Sequence, residues 1–125
     1  MTYYYEQILK IKAEVYPHDY LSEQVIQAKL YIDKNYADKI NISQISRAAF
    51  FSKYHFIRLF KKNYGRTPYQ YLTDVRIAKA KQLLKENISV IEVCYSVGFK
   101  SITSFTGLFK KITGTTPHEY QKKQH

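Results

Sequence analysis

The sequence predicts an all-α fold: two helix-turn-helix subdomains joined by a long linking helix. Three observations carry this expectation. Gly and Pro are scarce, 4 and 3 in 125 residues, which disfavours the many turns of a sandwich or barrel. Apolar residues recur at helical spacing in segment after segment. One pattern also occurs twice. Phe56-x-x-x-Phe60-Lys61-Lys62-x-x-Gly65-x-Thr67-Pro68-x-x-Tyr71 returns 49 residues later as Phe105-x-x-x-Phe109-Lys110-Lys111-x-x-Gly114-x-Thr116-Pro117-x-x-Tyr120. Upstream, Ile45, Ala49 and Phe51 return as Val93, Val97 and Phe99 after 48 residues, so the first copy is one residue shorter where a turn is expected.

Residues 1–22 are expected to form an N-terminal extension, either a short helix or a linker. Tyr4, Ile8, Ile11 and Val15 have helical spacing, and Pro17 would end a helix over 3–16. The Tyr3-Tyr4-Tyr5 run is compatible with capping a core, docking a partner or fraying. The first subdomain is expected over 23–67. Asp19 or Ser22 caps a helix from about Glu23 to Tyr36, whose stripe of Leu21, Val25, Ala28 and Ile32 is widened by Ile26 and Leu30. Ser43, after Asn41 and Ile42, is the expected N-cap of a short helix with Ile45, Ala48 and Ala49. Ser52 caps the next helix, with Phe56, Leu59, Phe60 and Tyr64 on one side, and Gly65 closes it.

Pro68 opens the linking helix, expected over 68–86, since a missing N–H costs nothing in a first turn. Leu72, Val75, Ala80, Leu83 and Leu84 face inward, and Asn87 ends it. The second subdomain is expected over 87–125. Ser89 starts a helix with Ile91, Val93, Cys94 and Val97, followed by a turn at Gly98. Ser101 caps a helix with Phe105, Leu108, Phe109 and Ile112, which Gly114 closes. Pro117 opens a last short helix ending in Lys122 and Lys123.

Charge is unevenly spread. The net charge is +10, yet six of the ten acids lie in residues 1–38. Residues 39–85 carry eleven Lys or Arg against one acid, Asp74, which points to an anionic partner for the middle of the chain. Enzyme chemistry is not expected. His18, His55, His118 and His125 are scattered, and no carboxylate pair, metal-ligand spacing or glycine-rich phosphate loop occurs. Neither metal nor cofactor is expected. Cys94 is the single cysteine, so no disulfide can form within the chain, and its place between Val93 and Tyr95 suits a small core residue. There is no signal-peptide pattern and no run near the roughly 18 apolar residues of a membrane span. The expected setting is intracellular and soluble, with no membrane partner.

Short helix, turn and longer helix, twice, is the form in which one helix braces a second that lies in the DNA major groove, about 12 Å wide. In the first copy Lys53, Tyr54, Ile57, Arg58 and Lys61 form a stripe opposite Phe56, Leu59 and Phe60. Arg58 is the expected base reader, because its planar fork can bind guanine bidentately. Tyr54 and Ile57 suit thymine methyls; His55, Lys62 and Arg66 suit phosphates, and Ser52 stands at the helix start beside them. The second stripe, Ile102, Thr103, Thr106, Gly107 and Lys110, is chemically thinner. That copy is expected to grip backbone through Lys100, Lys110 and Lys111, with Ser101 at the helix start, and to add little sequence information. A linking helix of roughly 27 Å, at 1.5 Å per residue, falls short of the roughly 34 Å between successive groove faces. A modest bend of the DNA is therefore expected.

Val93-Cys94-Tyr95-Ser96-Val97-Gly98-Phe99, with the second copy of the repeat after it, resembles the signature of AraC/XylS-type bacterial transcription regulators. Arg76, Ala80, Leu83 and Leu84 resemble that family's connecting helix, and the likeness runs over about residues 23–123. It implies a homeodomain-like all-helical fold, two helix-turn-helix units on one linking helix, and binding of double-stranded DNA at promoters, often with recruitment of RNA polymerase. By position, Lys53, Tyr54, Ile57 and Arg58, then Ile102, Thr103, Thr106 and Gly107, face the groove. Cys94 stands where Ala is usual, Phe50 holds a turn position often small or polar, and Gly107 stands where a basic residue is common. The resulting expectation is a sequence-specific transcription regulator, of the activator kind. No small-molecule effector site is expected within this chain, and Met1 favours a stand-alone regulator over a fragment. The competing expectation is a helical interaction module that antagonises a related regulator, and a neutral recognition helix would be its mark.

Overall fold

The computed structural model describes residues 17–48 and 52–125, with side chains described over 23–47 and 52–125. Among the described residues there are seven helices and no strand: α1 Pro17–Asn35, α2 Ile42–Ala48, α3 Lys53–Tyr64, α4 Pro68–Lys85, α5 Val90–Ser96, α6 Ile102–Thr113 and α7 Pro117–Gln124. The repeat in the sequence is a repeat of structure. Helices α2 and α5 have 7 residues each, and α3 and α6 have 12 each. Ser52 and Ser101 both cap by accepting a backbone N–H three residues on, from His55 and Ser104 at 3.1 Å in each case. Gly65 and Gly114 both end their helices in the left-handed region, with φ 71° and 88°, which a side chain would disfavour.

The described residues fall into two compact units. One joins the residues up to Lys34 with Asn41–Tyr69; the other joins Asn35–Ile40 with Gln70–His125. In the first, α2 packs on α3. Val25, Ala28 and Ile32 of α1, Ile42 of α2, and Phe56 and Phe60 of α3 are buried. The Phe56 and Phe60 rings lie 5.9 Å apart, and Tyr64 continues the stack at 4.9 Å from Phe60. In the second, α5 and α7 both pack on α6. Its core is Ile77, Ala80, Leu84, Val93, Cys94, Val97, Phe99, Phe105 and Phe109. A matching aromatic column runs from Phe99 through Phe105 and Phe109 to Tyr120, with ring centroids 5.2, 5.7 and 5.6 Å apart. Burial pushes the Cys94 thiol up from its ordinary pKa, so it stays protonated among its apolar neighbours.

Two expectations about helix ends need correction, and both concern caps. Helix α1 begins at Pro17, where the fixed φ suits the first turn. Asp19 and Ser22 therefore lie inside α1 rather than capping it. The cap of α2 is Asn41, whose Oδ1 accepts from the Gln44 N–H at 3.1 Å, and not Ser43. Ser43 lies within the helix, and its carbonyl accepts from the buried Ser46 hydroxyl at 2.9 Å. On α5, Ile91 is 58% exposed and Val90 takes the partly buried place against the core. Ile112 is likewise exposed near the end of α6, and Ile77, absent from the expected inward set of α4, is buried. The expected helix over 3–16 and residues Ala49, Phe50 and Phe51 lie outside the described residues.

One half-buried cation, Arg76, ties the second unit together. Arg76 on α4 donates from Nε to the Tyr36 carbonyl at 2.7 Å and from Nη2 to the Asp38 carbonyl at 3.0 Å. These oxygens follow the C-terminus of α1, where backbone acceptors lack helical partners and attract positive charge. The guanidinium also lies 5.8 Å from the Phe99 ring centre. Burial lowers the Arg76 pKa from its ordinary value. Gln121 of α7 donates from Nε2 to the Leu84 and Ile88 carbonyls and seals the end of α4, where Asn87 takes φ 64°.

Candidate nucleic-acid interface

Helix α3 separates its residues by chemistry. Phe56 and Phe60 point into the core, while Lys53, Tyr54, His55, Arg58, Lys61 and Lys62 are exposed and Ile57 is half-buried. No acidic residue occurs anywhere in α3, nor in α6. The other long helices differ: α1 holds Asp19, Glu23 and Asp33, and α4 holds Asp74. Two of these cations, Lys61 and Lys62, stand in the last turn of α3, favourably placed against the negative end of the helix dipole. Arg66 is exposed just past Gly65.

The exposed face of α3 begins in the first turn. Tyr54 is 72% exposed, the most open of the large apolar or aromatic side chains on the described surface. The Arg58 guanidinium sits over its ring, 5.6 Å from the centroid, one helical turn away. The Lys53 ammonium lies 6.0 Å from the ring centre of Tyr69. The hydroxyl of Ser52 is engaged with the His55 N–H, so its role here is to fix the first turn.

Helix α6 presents the counterpart face. Ile102, Thr103, Gly107, Lys110 and Lys111 are exposed, Thr106 is half-buried, and Lys100 is exposed just before the helix. Ser101, like Ser52, spends its hydroxyl on the helix start. Position for position Lys53, Tyr54, Ile57 and Arg58 are replaced by Ile102, Thr103, Thr106 and Gly107, while Lys61 and Lys62 recur as Lys110 and Lys111. The end of α6 is knotted: Thr113 donates its hydroxyl to the Phe109 carbonyl at 2.7 Å and accepts from the Thr115 N–H at 3.3 Å.

The structure thus gathers Ser52, Lys53, Tyr54, His55, Ile57, Arg58, Lys61 and Lys62 on one helix and its cap. It gathers Lys100, Ser101, Ile102, Thr103, Thr106, Gly107, Lys110 and Lys111 at another. Sequence reasoning did not single out Tyr69 beside Lys53, and nothing in the sequence pairs a helix start with a residue sixteen positions on. The Tyr54–Arg58 spacing was available as an i, i+4 pair. No group of three or more His, Cys, Asp or Glu able to hold a metal ion occurs among the described residues. No helix among them is long and apolar enough to cross a membrane.

Residues 45–123 match a family model described as a helix-turn-helix domain. Among curated relatives, the bifunctional transcriptional activator/DNA repair enzyme AdaA of Bacillus subtilis is 35% identical over 102 residues, 81% of this chain and 48% of that protein. The chain spans about half the length of the curated relatives it matches. Among solved structures, the DNA-binding domain of AdpA, a global transcriptional factor in complex with a target DNA, aligns with a TM-score of 0.75 at 25% identity. That alignment covers 79% of this chain and 90% of AdpA's. An AraC-type DNA-binding regulator from Chromobacterium violaceum shares the fold, with a TM-score of 0.72 at 23% identity over 82% of this chain and 92% of its own. The family model spans more than half of the chain, and the chain belongs to the AraC-type helix-turn-helix family of transcription regulators.

Proposed function

We propose that the chain binds double-stranded DNA at promoters in a sequence-specific way and activates transcription, with α3 as the principal reader. The observation that carries this is the make-up of α3: an exposed face rich in cations, with no acid in the helix, backed by a buried aromatic side. An antagonist that paired with a related regulator would not need that face. Arg58 reads a guanine through its two-pronged edge, and Tyr54 and Ile57 meet thymine methyls. His55, Lys62 and Arg66 lie against phosphates. Helix α6 grips backbone through Lys100, Lys110 and Lys111, while Thr103 and Thr106 make the smaller base contacts available to a hydroxyl and a methyl.

The likeness to AdpA supports DNA as the partner, since that domain is seen on a target DNA. The likeness to AdaA supports activation, while its repair activity is not carried over to this chain. We place the protein at the nucleoid in the cytoplasm, within reach of RNA polymerase. No cofactor, catalytic role or effector site is assigned to the described residues.

The test starts from a site selected out of random duplex DNA. Arg58→Ala is expected to weaken binding to that site by about 1–3 kcal/mol and to relax the preference at one guanine position. Equal affinity of parent and Arg58→Ala for the selected site overturns the assignment of α3 as reader.

A further inference from the structure

We propose that Tyr54 is a positioning residue for Arg58, so that the two act as one reading element; this rests on Arg58 reading a guanine. The geometry carries it. Tyr54 and Arg58 stand one turn apart on the outer side of α3, and the guanidinium lies over the phenol ring at 5.6 Å from its centroid. The ring approaches the guanidinium carbon, while the forked N–H groups lie at the periphery of the cation. Bidentate bonding to guanine O6 and N7 uses its edge. The two contacts therefore do not compete, and the ring can stay under the cation while the edge meets the base.

The cation–ring contact addresses a specific difficulty. Arg58 is exposed, and a long exposed side chain samples many rotamers that a base contact must eliminate. A ring that already attracts the guanidinium lowers that cost, as any preorganised contact does. Tyr54 can serve because its own backbone is fixed: it lies in the first turn of α3, which Ser52 pins through the His55 N–H at 3.1 Å. Tyr54 itself is too exposed to owe its place to the core. Lysine at position 58 would lack both the planar face and the forked edge.

The second copy lacks both members of the pair. At the equivalent positions α6 carries Thr103 and Gly107, so the ring and the guanidinium are both missing. Helix α6 keeps the cap, the length, the terminal glycine and the two terminal lysines of α3. At these two positions α6 has no counterpart of the cation–ring contact.

The experiment uses the full chain, the selected duplex, and the same duplex with the Arg58-dependent guanine replaced by adenine. Discrimination between the two duplexes is measured for the parent, Tyr54→Leu, Tyr54→Phe, Arg58→Ala and the double variant Tyr54→Leu/Arg58→Ala. Tyr54→Leu is expected to lose about two- to fivefold in guanine-over-adenine discrimination, the scale of an exposed cation–π contact. Tyr54→Phe, which keeps the ring, is expected to restore it. In the Arg58→Ala background the Tyr54→Leu change is expected to leave guanine discrimination where it was, because the phenol acts through the arginine. Thermal unfolding should move little, as Tyr54 is not a core residue.

If Arg58→Ala lowers discrimination while Tyr54→Leu does not, or does so equally with and without Arg58, the positioning role is overturned and the reader stands. If Arg58→Ala changes nothing, the reader assignment falls and the positioning role falls with it.

Discussion

Two glycines show how little a residue's name decides without its surroundings. Gly107 sits within α6, exposed, and a Cβ built there meets nothing within 4 Å. Replacing it by Ala removes the entropy cost of a helical glycine at no steric expense, so Gly107→Ala is expected to stabilise by about 1 kcal/mol. Gly98 is the opposite case. Its φ is +102°, and a Cβ would stand 2.9 Å from both the Tyr36 carbonyl oxygen and Arg76 Nε. The backbone cannot give way there without breaking the Arg76 bond to Tyr36. Gly98→Ala is expected to cost more than the roughly 1–3 kcal/mol of backbone strain alone. Chemical denaturation of the two variants beside the parent checks both signs; a shift in the same direction for the pair would refute the account. From the sequence, Gly98 was legible as a turn, because Phe99 and the apolar run before it frame it. The close approach of Tyr36 was not, since 62 residues separate the two and no local pattern records the meeting.

At the level of elements the repeat made most of the fold legible. Ser52, Gly65, Pro68, Ser89, Ser101, Gly114 and Pro117 each mark the helix end expected of them, because cap chemistry is local and acts within one turn. Ser101→Ala removes the acceptor of the Ser104 N–H and is expected to destabilise by about 1 kcal/mol. Ser101→Asp should recover most of this, since a carboxylate accepts the same bond and favours the positive end of the dipole. Amide exchange at Ser104 is the direct readout, and unchanged protection in Ser101→Ala counts against the cap. The misplaced ends have a common cause. Asn41 and Ser43 are both good caps two residues apart, so residue type alone could not choose. Packing does, by burying Ile42 inside the first turn. At α1, Asp19 and Ser22 were caps by residue type, but the helix begins ahead of both, at Pro17, whose φ suits a first turn. For α5, Ile91 and Val90 are adjacent apolar residues, and helical period fixes which faces the core only once the start at Ser89 is known. On the candidate site, sequence fixes the identity of the exposed stripe on α3, but the guanidinium-over-ring geometry of Arg58 and Tyr54 depends on rotamers that spacing permits without selecting.

For the molecule as a whole, net charge sets how binding responds to salt. A charge of +10 draws any duplex in, yet only cations that sit against phosphates release counterions when the complex forms. Our reading places five of fixed charge there: Lys62 and Arg66 from the first copy, and Lys100, Lys110 and Lys111 from the second, all exposed. Each neutralised phosphate contributes about −0.9 to the slope of log K against log salt, which makes roughly −4.5 for five. Lys110→Ala with Lys111→Ala is expected to make the slope shallower by about 2, weakening all duplexes alike, since phosphate contacts carry no base information. Arg58→Ala is expected to behave the other way, changing preference among sequences much more than the slope. Isothermal titration or anisotropy across a salt series with selected and scrambled duplexes separates the two behaviours. If the double lysine variant keeps the parental slope, α6 does not grip the backbone. The division of labour between a reading helix and a holding helix would then have to be abandoned, even with Arg58 confirmed as a reader.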